Sequence, residues 1–96
     1  MALFFSESPT NPYLRCVDIP AIKALCEPYG TIVAIDSTFA TPVNQTPCDL
    51  GADLVLHSGT KYLAGHNDVL AGALAGRAEP VAAVRAMHNV LGGTVD

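Results

Sequence analysis

Apolar positions along the chain come in short runs separated by prolines, glycines and small polar residues. "MALFFSES" is an apolar run that turns polar at its end, the pattern of a buried strand. "PTNP" breaks it, because two prolines and an asparagine within four residues form a turn. Asp18 is placed to cap a helix running to about Glu27 or Tyr29, with Pro20 tolerated in its first turn. Ile19, Ile22, Leu25 and Cys26 fall on one face of that helix, and Gly30 is its stop. "TIVAID" predicts a second strand, β-branched and apolar until Asp36. "STFATPVNQTPCDLGA" predicts a loop or short helix, since its prolines discourage a long element. "DLVLHS" is a third strand ending at Ser58. "DVLAGALAG" is a fourth apolar run whose glycines suggest close backbone approach. From Glu79 to Leu91 the pattern is helical again, with Val81, Val84, His88 and Leu91 on one face and Gly92-Gly93 as the stop.

This order predicts an α/β fold with an at least partly parallel sheet. Continuous apolar strands imply a sheet covered on both faces. Two helices are few for covering four strands, and the edges and faces left bare point to part of a larger domain. Residues 1–96 read as one unit, with no linker, repeat or low-complexity tract.

Composition narrows the function classes. Half of the 96 residues are apolar and only 15% are charged, which excludes a disordered tail. A net charge of −4 without a basic run gives no footprint for nucleic acid or for an anionic membrane surface. No apolar stretch approaches the ~20 residues of a bilayer span, and the start lacks the basic region of a signal peptide. Cys16, Cys26 and Cys48 are too few and too irregular for a disulfide framework and read as reduced thiols. Neither they nor His57, His66 and His88 have the spacing of a metal site, so no metal is expected.

Polar residues collect where apolar strands end: Asn11 after the first, Asp36 and Thr38 after the second, Ser58, Thr60 and Lys61 after the third. Open α/β sheets bind ligands outside the carboxyl ends of their strands. Strand ends also meet solvent, and Asp, Ser, Thr and Asn are ordinary turn residues, so position alone does not separate a site from a set of turns. The residue types add information. A lysine for a Schiff base, a carboxylate for a pyridinium nitrogen and hydroxyl donors for a phosphate are what pyridoxal phosphate requires. Other templates fit worse, for there is no GxxxxGK[ST] loop, no GxGxxG fingerprint and no GxSxG elbow.

"ESPTNPYLRCVDI", "IDSTFATPVNQTPCDLGADLVLHSGTKYLAGHNDVLAG" and "LGGTVD" closely resemble the Cys/Met-metabolism, or transsulfuration, family of pyridoxal-phosphate enzymes. The resemblance runs from about Phe4 to Asp96 and is strongest toward the plant-type cystathionine γ-synthase branch. It implies the central part of the large cofactor-binding domain of a fold type I, aspartate aminotransferase-like enzyme, with a mostly parallel sheet flanked by helices and left incomplete. It implies amino-acid substrates and, for the full-length family, a homotetramer. The implied reaction is γ-replacement on an activated homoserine by cysteine, giving cystathionine for methionine biosynthesis. A cystathionine γ-lyase or methionine γ-lyase activity is the alternative, and a truncated, non-catalytic product is another. The compartment implied is cytoplasm or plastid stroma.

Roles follow from the resemblance position by position. Lys61 would bond the cofactor and then shuttle protons. Asp36 would face the pyridine nitrogen and keep it protonated, making the ring an electron sink. Ser58 and Thr60 would hold the phosphate, Thr38 would sit close to the ring, and Asn11 would bond near the phenolic oxygen. Glu7, Arg15, Tyr62, His66 and Asn67 lie in the same motifs and read as local structure. Ala64 stands where many relatives have glycine. The family's ring-stacking aromatic residue and its arginine for the substrate carboxylate are not found in this chain, which alone is expected to have little or no activity.

Overall fold

The computed structural model describes residues 2–93 and residue 95. A four-stranded sheet in the order β1-β2-β3-β4 organises them, with β1 at Leu3–Glu7, β2 at Ile32–Asp36, β3 at Leu54–Ser58 and β4 at Gly72–Gly76. β1, β2 and β3 run parallel and β4 is antiparallel to β3. The architecture is therefore α/β with a mostly parallel sheet, within the at least partly parallel order that the pattern predicts and as the resemblance implies.

Local chemistry accounts for the helix boundaries. α1 spans Ile19–Cys26, and the Asp18 carboxylate accepts the Ala21 N–H at 3.0 Å, one of the donors that a helix start leaves unpaired. A 3-10 turn at Glu27–Tyr29 follows, and Gly30 closes it in the left-handed region at φ 61°. α2 is a single turn, Thr41–Asn44. α3 spans Ala78–Leu91 and ends at Gly92, whose N–H bonds the His88 carbonyl.

The core lies on one face of the sheet, beneath α1. Val33 and Ile35 point to that face and are fully buried against Ile19 and Ala52, with Phe4, Val17, Ile22 and Cys26 packed around them. The register places Phe4 opposite Val33, so Leu3 and Phe5 point to the other face. There they remain 63% and 54% exposed.

The sheet keeps a bare face, as the shortage of helices predicts: α3 packs chiefly on β4, and Leu3 and Phe5 stay exposed. Two expectations are corrected here. The apolar stripe of α3 is not a core face: Val84 and Leu91 are exposed, and α3 buries no residue fully. Leu25 stands out in solvent, because its position on α1 turns it away from the sheet. Helical spacing defines a face, but burial needs a partner for that face.

Of the glycines in the fourth apolar run, Gly76 has the close backbone approach expected. A side chain there would collide with the Asp53 carbonyl, and its φ of 151° also disfavours one. Gly72 has open space around it. The strand itself covers only Gly72–Gly76, the second half of the run. Cys16, Cys26 and Cys48 are unbridged. Among the described residues no helix is long and apolar enough to cross a membrane.

Candidate active site

Because β1, β2 and β3 are parallel, their carboxyl ends meet at one edge of the sheet. Glu7 lies opposite Asp36 in register, and Asp36 opposite Leu56, two residues before Ser58. The side chains of Glu7, Asp36 and Ser58 therefore share one face. A cleft of about 170 Å³ opens there, lined by Glu7, Pro9, Asn11, Asp36, Thr38, Phe39, Ser58 and Lys61. Five of the six residues singled out from the sequence thus meet in one place. Thr60 is the exception.

Asp36 is held by the chain that follows it. Its Oδ1 accepts the Thr38 N–H at 2.9 Å and the Thr38 hydroxyl at 2.6 Å. The Thr38 oxygen in turn accepts the Ser58 N–H at 2.8 Å, which ties the end of β2 to the end of β3. Among the described residues, Asp36 Oδ2 has no hydrogen-bond partner, and it is not a buried unsatisfied atom, so it reaches solvent.

Lys61 sits on a wide turn, Gly59–Leu63, that begins as β3 ends. The turn is closed by the Ala64 N–H on the Gly59 carbonyl and the Gly65 N–H on the Lys61 carbonyl, both at 2.9 Å. Gly59 suits the close approach, since a Cβ there would lie 3.1 Å from the Ala71 carbonyl oxygen, a tight contact. Tyr62 packs edge-on against Phe39, ring centroids 6.4 Å apart, and braces the turn from the side. Lys61 is exposed, and among the described residues its amine has no hydrogen-bond or ion-pair partner.

Glu7 and Asn11 complete the rim. The Glu7 carboxylate accepts the Asn11 N–H at 3.0 Å, which holds the loop after β1 over the cleft. That is the local role expected for Glu7, although its place in the cleft was not anticipated. Thr60 faces elsewhere: its oxygen accepts the Ala71 N–H at 3.0 Å, outside the cleft lining. Its O–H reaches the Ala71 carbonyl only at 3.4 Å, a weak bond.

The opposite end of the sheet holds a charged group that sequence reading missed. Asp53, 2% exposed, accepts Lys23 Nζ on both oxygens at 2.9 Å, Arg77 Nη1 at 2.9 Å and the Val33 N–H at 2.9 Å. Burial alone would raise its pKa, but these donors outweigh burial and lower it to about 2. The nearby Cys48 is an exposed residue whose thiol is pushed up, by partial desolvation first and then by the charges of Asp49 and Asp53. The signal available in "GADLVL" is an acidic residue between apolar neighbours at a strand start. Its partners lie 30 and 24 residues away, beyond any local spacing rule.

A larger cavity of about 540 Å³ opens at this amino end, lined by Leu3, Ile32, Asp53, Leu54, Arg77 and Val84 among others. Its aspartate and arginine are bonded to each other, so size does not mark the reactive end. The carboxyl-end cleft has the opposite character: a lysine amine and a carboxylate oxygen without partners among the described residues, with a serine hydroxyl and an asparagine beside them. That donor set fits pyridoxal phosphate. The cleft volume falls below the ~300–1,000 Å³ of pockets that enclose a small molecule, so these residues form one wall of a site.

Comparison with known proteins agrees with this chemistry. The Cys/Met metabolism PLP-dependent enzyme family, PLP being pyridoxal phosphate, matches residues 1–96. The chloroplastic cystathionine gamma-synthase 1 of Arabidopsis thaliana is 58% identical over 96 residues, all of this chain and 17% of that protein. A cystathionine beta-lyase of Lactococcus lactis is 42% identical over 95 residues, 98% of this chain and 25% of that protein. A methionine gamma lyase structure from Micromonospora echinospora superposes with a TM-score of 0.93 at 47% identity, covering 98% of this chain and 26% of that one. The chain thus spans between about a sixth and a quarter of the length of these relatives. It belongs to the Cys/Met metabolism family of pyridoxal-phosphate-dependent enzymes.

Proposed function

We propose that the chain is the lysine-bearing part of the cofactor domain of a cystathionine γ-synthase-like enzyme. The observation that carries the cofactor half of this reading is the pairing, in one cleft, of an unpartnered lysine amine with a half-unpartnered carboxylate. The synthase half rests on identity, 58% to the plant synthase against 42% to the β-lyase. A C–S lyase activity is the alternative within the family. The plastid stroma is the compartment suggested by the chloroplastic relative.

When bound, pyridoxal phosphate supplies an electron sink for carbanions next to the amino-acid nitrogen. The protein's part is to hold and to move protons. Lys61 Nζ would provide the amine that holds the cofactor, and as a free amine it would take and return protons at substrate carbons. Asp36 Oδ2 would accept from the ring N–H. Ser58 would donate to the phosphate, and the weakly bonded O–H of Thr60 would be available to do the same after a small rotation. Asn11, steadied by Glu7, offers its amide at the rim. In the reaction proposed, the γ C–O bond of an acylated or phosphorylated homoserine breaks and the acid leaves. The cysteine sulfur then bonds the γ carbon and its proton is released.

The test separates the two lysines of the chain. Incubation with pyridoxal phosphate followed by borohydride reduction is expected to place the adduct on Lys61 roughly tenfold more than on Lys23. Lys23 has to break charge-assisted bonds worth ~1.5–3 kcal/mol before it can react. Equal labelling of both lysines, or specific labelling that survives Lys61→Ala, would sink the proposal.

A further inference from the structure

We infer that Thr38 is a positioning residue that clamps one oxygen of Asp36 and reserves the other for a cationic N–H partner in the cleft. The identity of that partner rests on the cofactor reading above; the clamp does not. A threonine hydroxyl has one proton and two lone pairs. Here the proton goes to Asp36 Oδ1 at 2.6 Å, and one lone pair accepts the Ser58 N–H at 2.8 Å. With its only proton committed, the hydroxyl has nothing to donate to a ring or phosphate, so its part is played through Asp36.

Both bonds that Thr38 makes to the carboxylate converge on the same atom. Its N–H closes a two-residue turn on Oδ1 at 2.9 Å, and its hydroxyl adds a shorter, charge-assisted bond. Two donors on one oxygen fix the carboxylate rotamer and leave Oδ2 open to the cleft. The bond from Ser58 extends the effect across the sheet. Ser58 lies three residues before Lys61 and immediately precedes the turn that carries it. One hydroxyl therefore sets where the carboxylate points and anchors it to the segment bearing the lysine. Placement of this kind governs whether two groups can act on one molecule.

Thr38→Val removes the hydroxyl at nearly constant shape, and Thr38→Ser keeps it. In the cofactor-free protein, Thr38→Val is expected to speed hydrogen exchange of the Ser58 amide about fivefold, and Thr38→Ser to restore it. The Val33 amide, held by Asp53 at the far end of β2, reports any general loosening. The acceleration at Ser58 must exceed that at Val33. In titrations with pyridoxal phosphate, Thr38→Val should weaken binding about tenfold and Thr38→Ser by less than about twofold. The valine substitution should then have no effect in an Asp36→Ala background.

Ser58 exchange that tracks Val33 overturns the clamp. Equal loss of cofactor affinity with and without the Asp36 carboxylate also overturns it, by showing that Thr38 touches the cofactor itself. Absence of pyridoxal phosphate binding in the unmodified protein, with the Ser58 result intact, removes the cofactor reading and leaves the clamp standing.

Discussion

The two ends of the sheet each carry a lysine and an aspartate, and they use them in opposite ways. At the amino end, Lys23 is bonded to both oxygens of Asp53, and Arg77 and the Val33 N–H complete the shell of that buried carboxylate. At the carboxyl end, Lys61 and Asp36 line one cleft, yet among the described residues the lysine has no partner and one aspartate oxygen is left open. Residue type does not separate the pairs. Saturation does: a fully bonded ion pair stabilises the fold, whereas an unsaturated pair at a strand end is available to a ligand. Parallel strands produce the asymmetry, since they gather chain reversals and their loose polar groups at one edge.

The largest expected effect tests that contrast through stability. Asp53→Ala leaves two cations and a buried N–H without their acceptor and should cost about 3 kcal/mol in urea unfolding. Asp36→Ala, which removes a half-buried and half-bonded carboxylate, should cost about 1 kcal/mol. Equal costs would erase the distinction between a structural and an open pair.

Acid sharpens it further. The Asp53 pKa is about 2 in the folded protein against ~3.9 in an unfolded chain. Its contribution of roughly 2 kcal/mol is present in full above about pH 4 and is lost as pH falls through about 2. Stability measured between pH 5 and 2 should fall accordingly, and Asp53→Asn should flatten that slope. A slope unchanged in the variant would place the acid sensitivity elsewhere.

The smallest effect concerns the brace on the Lys61 turn. Phe39→Leu removes the edge-on contact with Tyr62 and should cost about 0.5–1 kcal/mol. It should also broaden the NMR signals of residues 59–63 while leaving those of α1 sharp. Broadening in α1 would mean that the contact supports the core rather than the turn.

Much of the fold and of the candidate site is legible in the sequence. Asp18 as a cap, Gly30 and Gly92 as stops, and the strands ending at Asp36 and Ser58 all express chemistry within a few residues of chain. The same holds for Asn11, Asp36, Thr38, Ser58 and Lys61, because parallel strands bring their ends together. What was not legible depends on partners distant in sequence. Leu25, Val84 and Leu91 fit an apolar face by spacing, but among the described residues they stay exposed. Thr60 reads as one of a hydroxyl pair, and its oxygen accepts the N–H of Ala71, just before the returning strand.

By itself, the sequence determined the order of the elements, most of their ends, that the sheet is at least partly parallel, and which polar residues stand at the strand ends. Each of these follows from local torsional preference, capping and the period of apolar residues. Tertiary structure alone decided that Asp53 is locked, that Asp36 is half open, and that Thr38 is committed to both Asp36 and Ser58. Such assignments depend on which donor reaches which acceptor across the sheet, and spacing along the chain does not encode that distance.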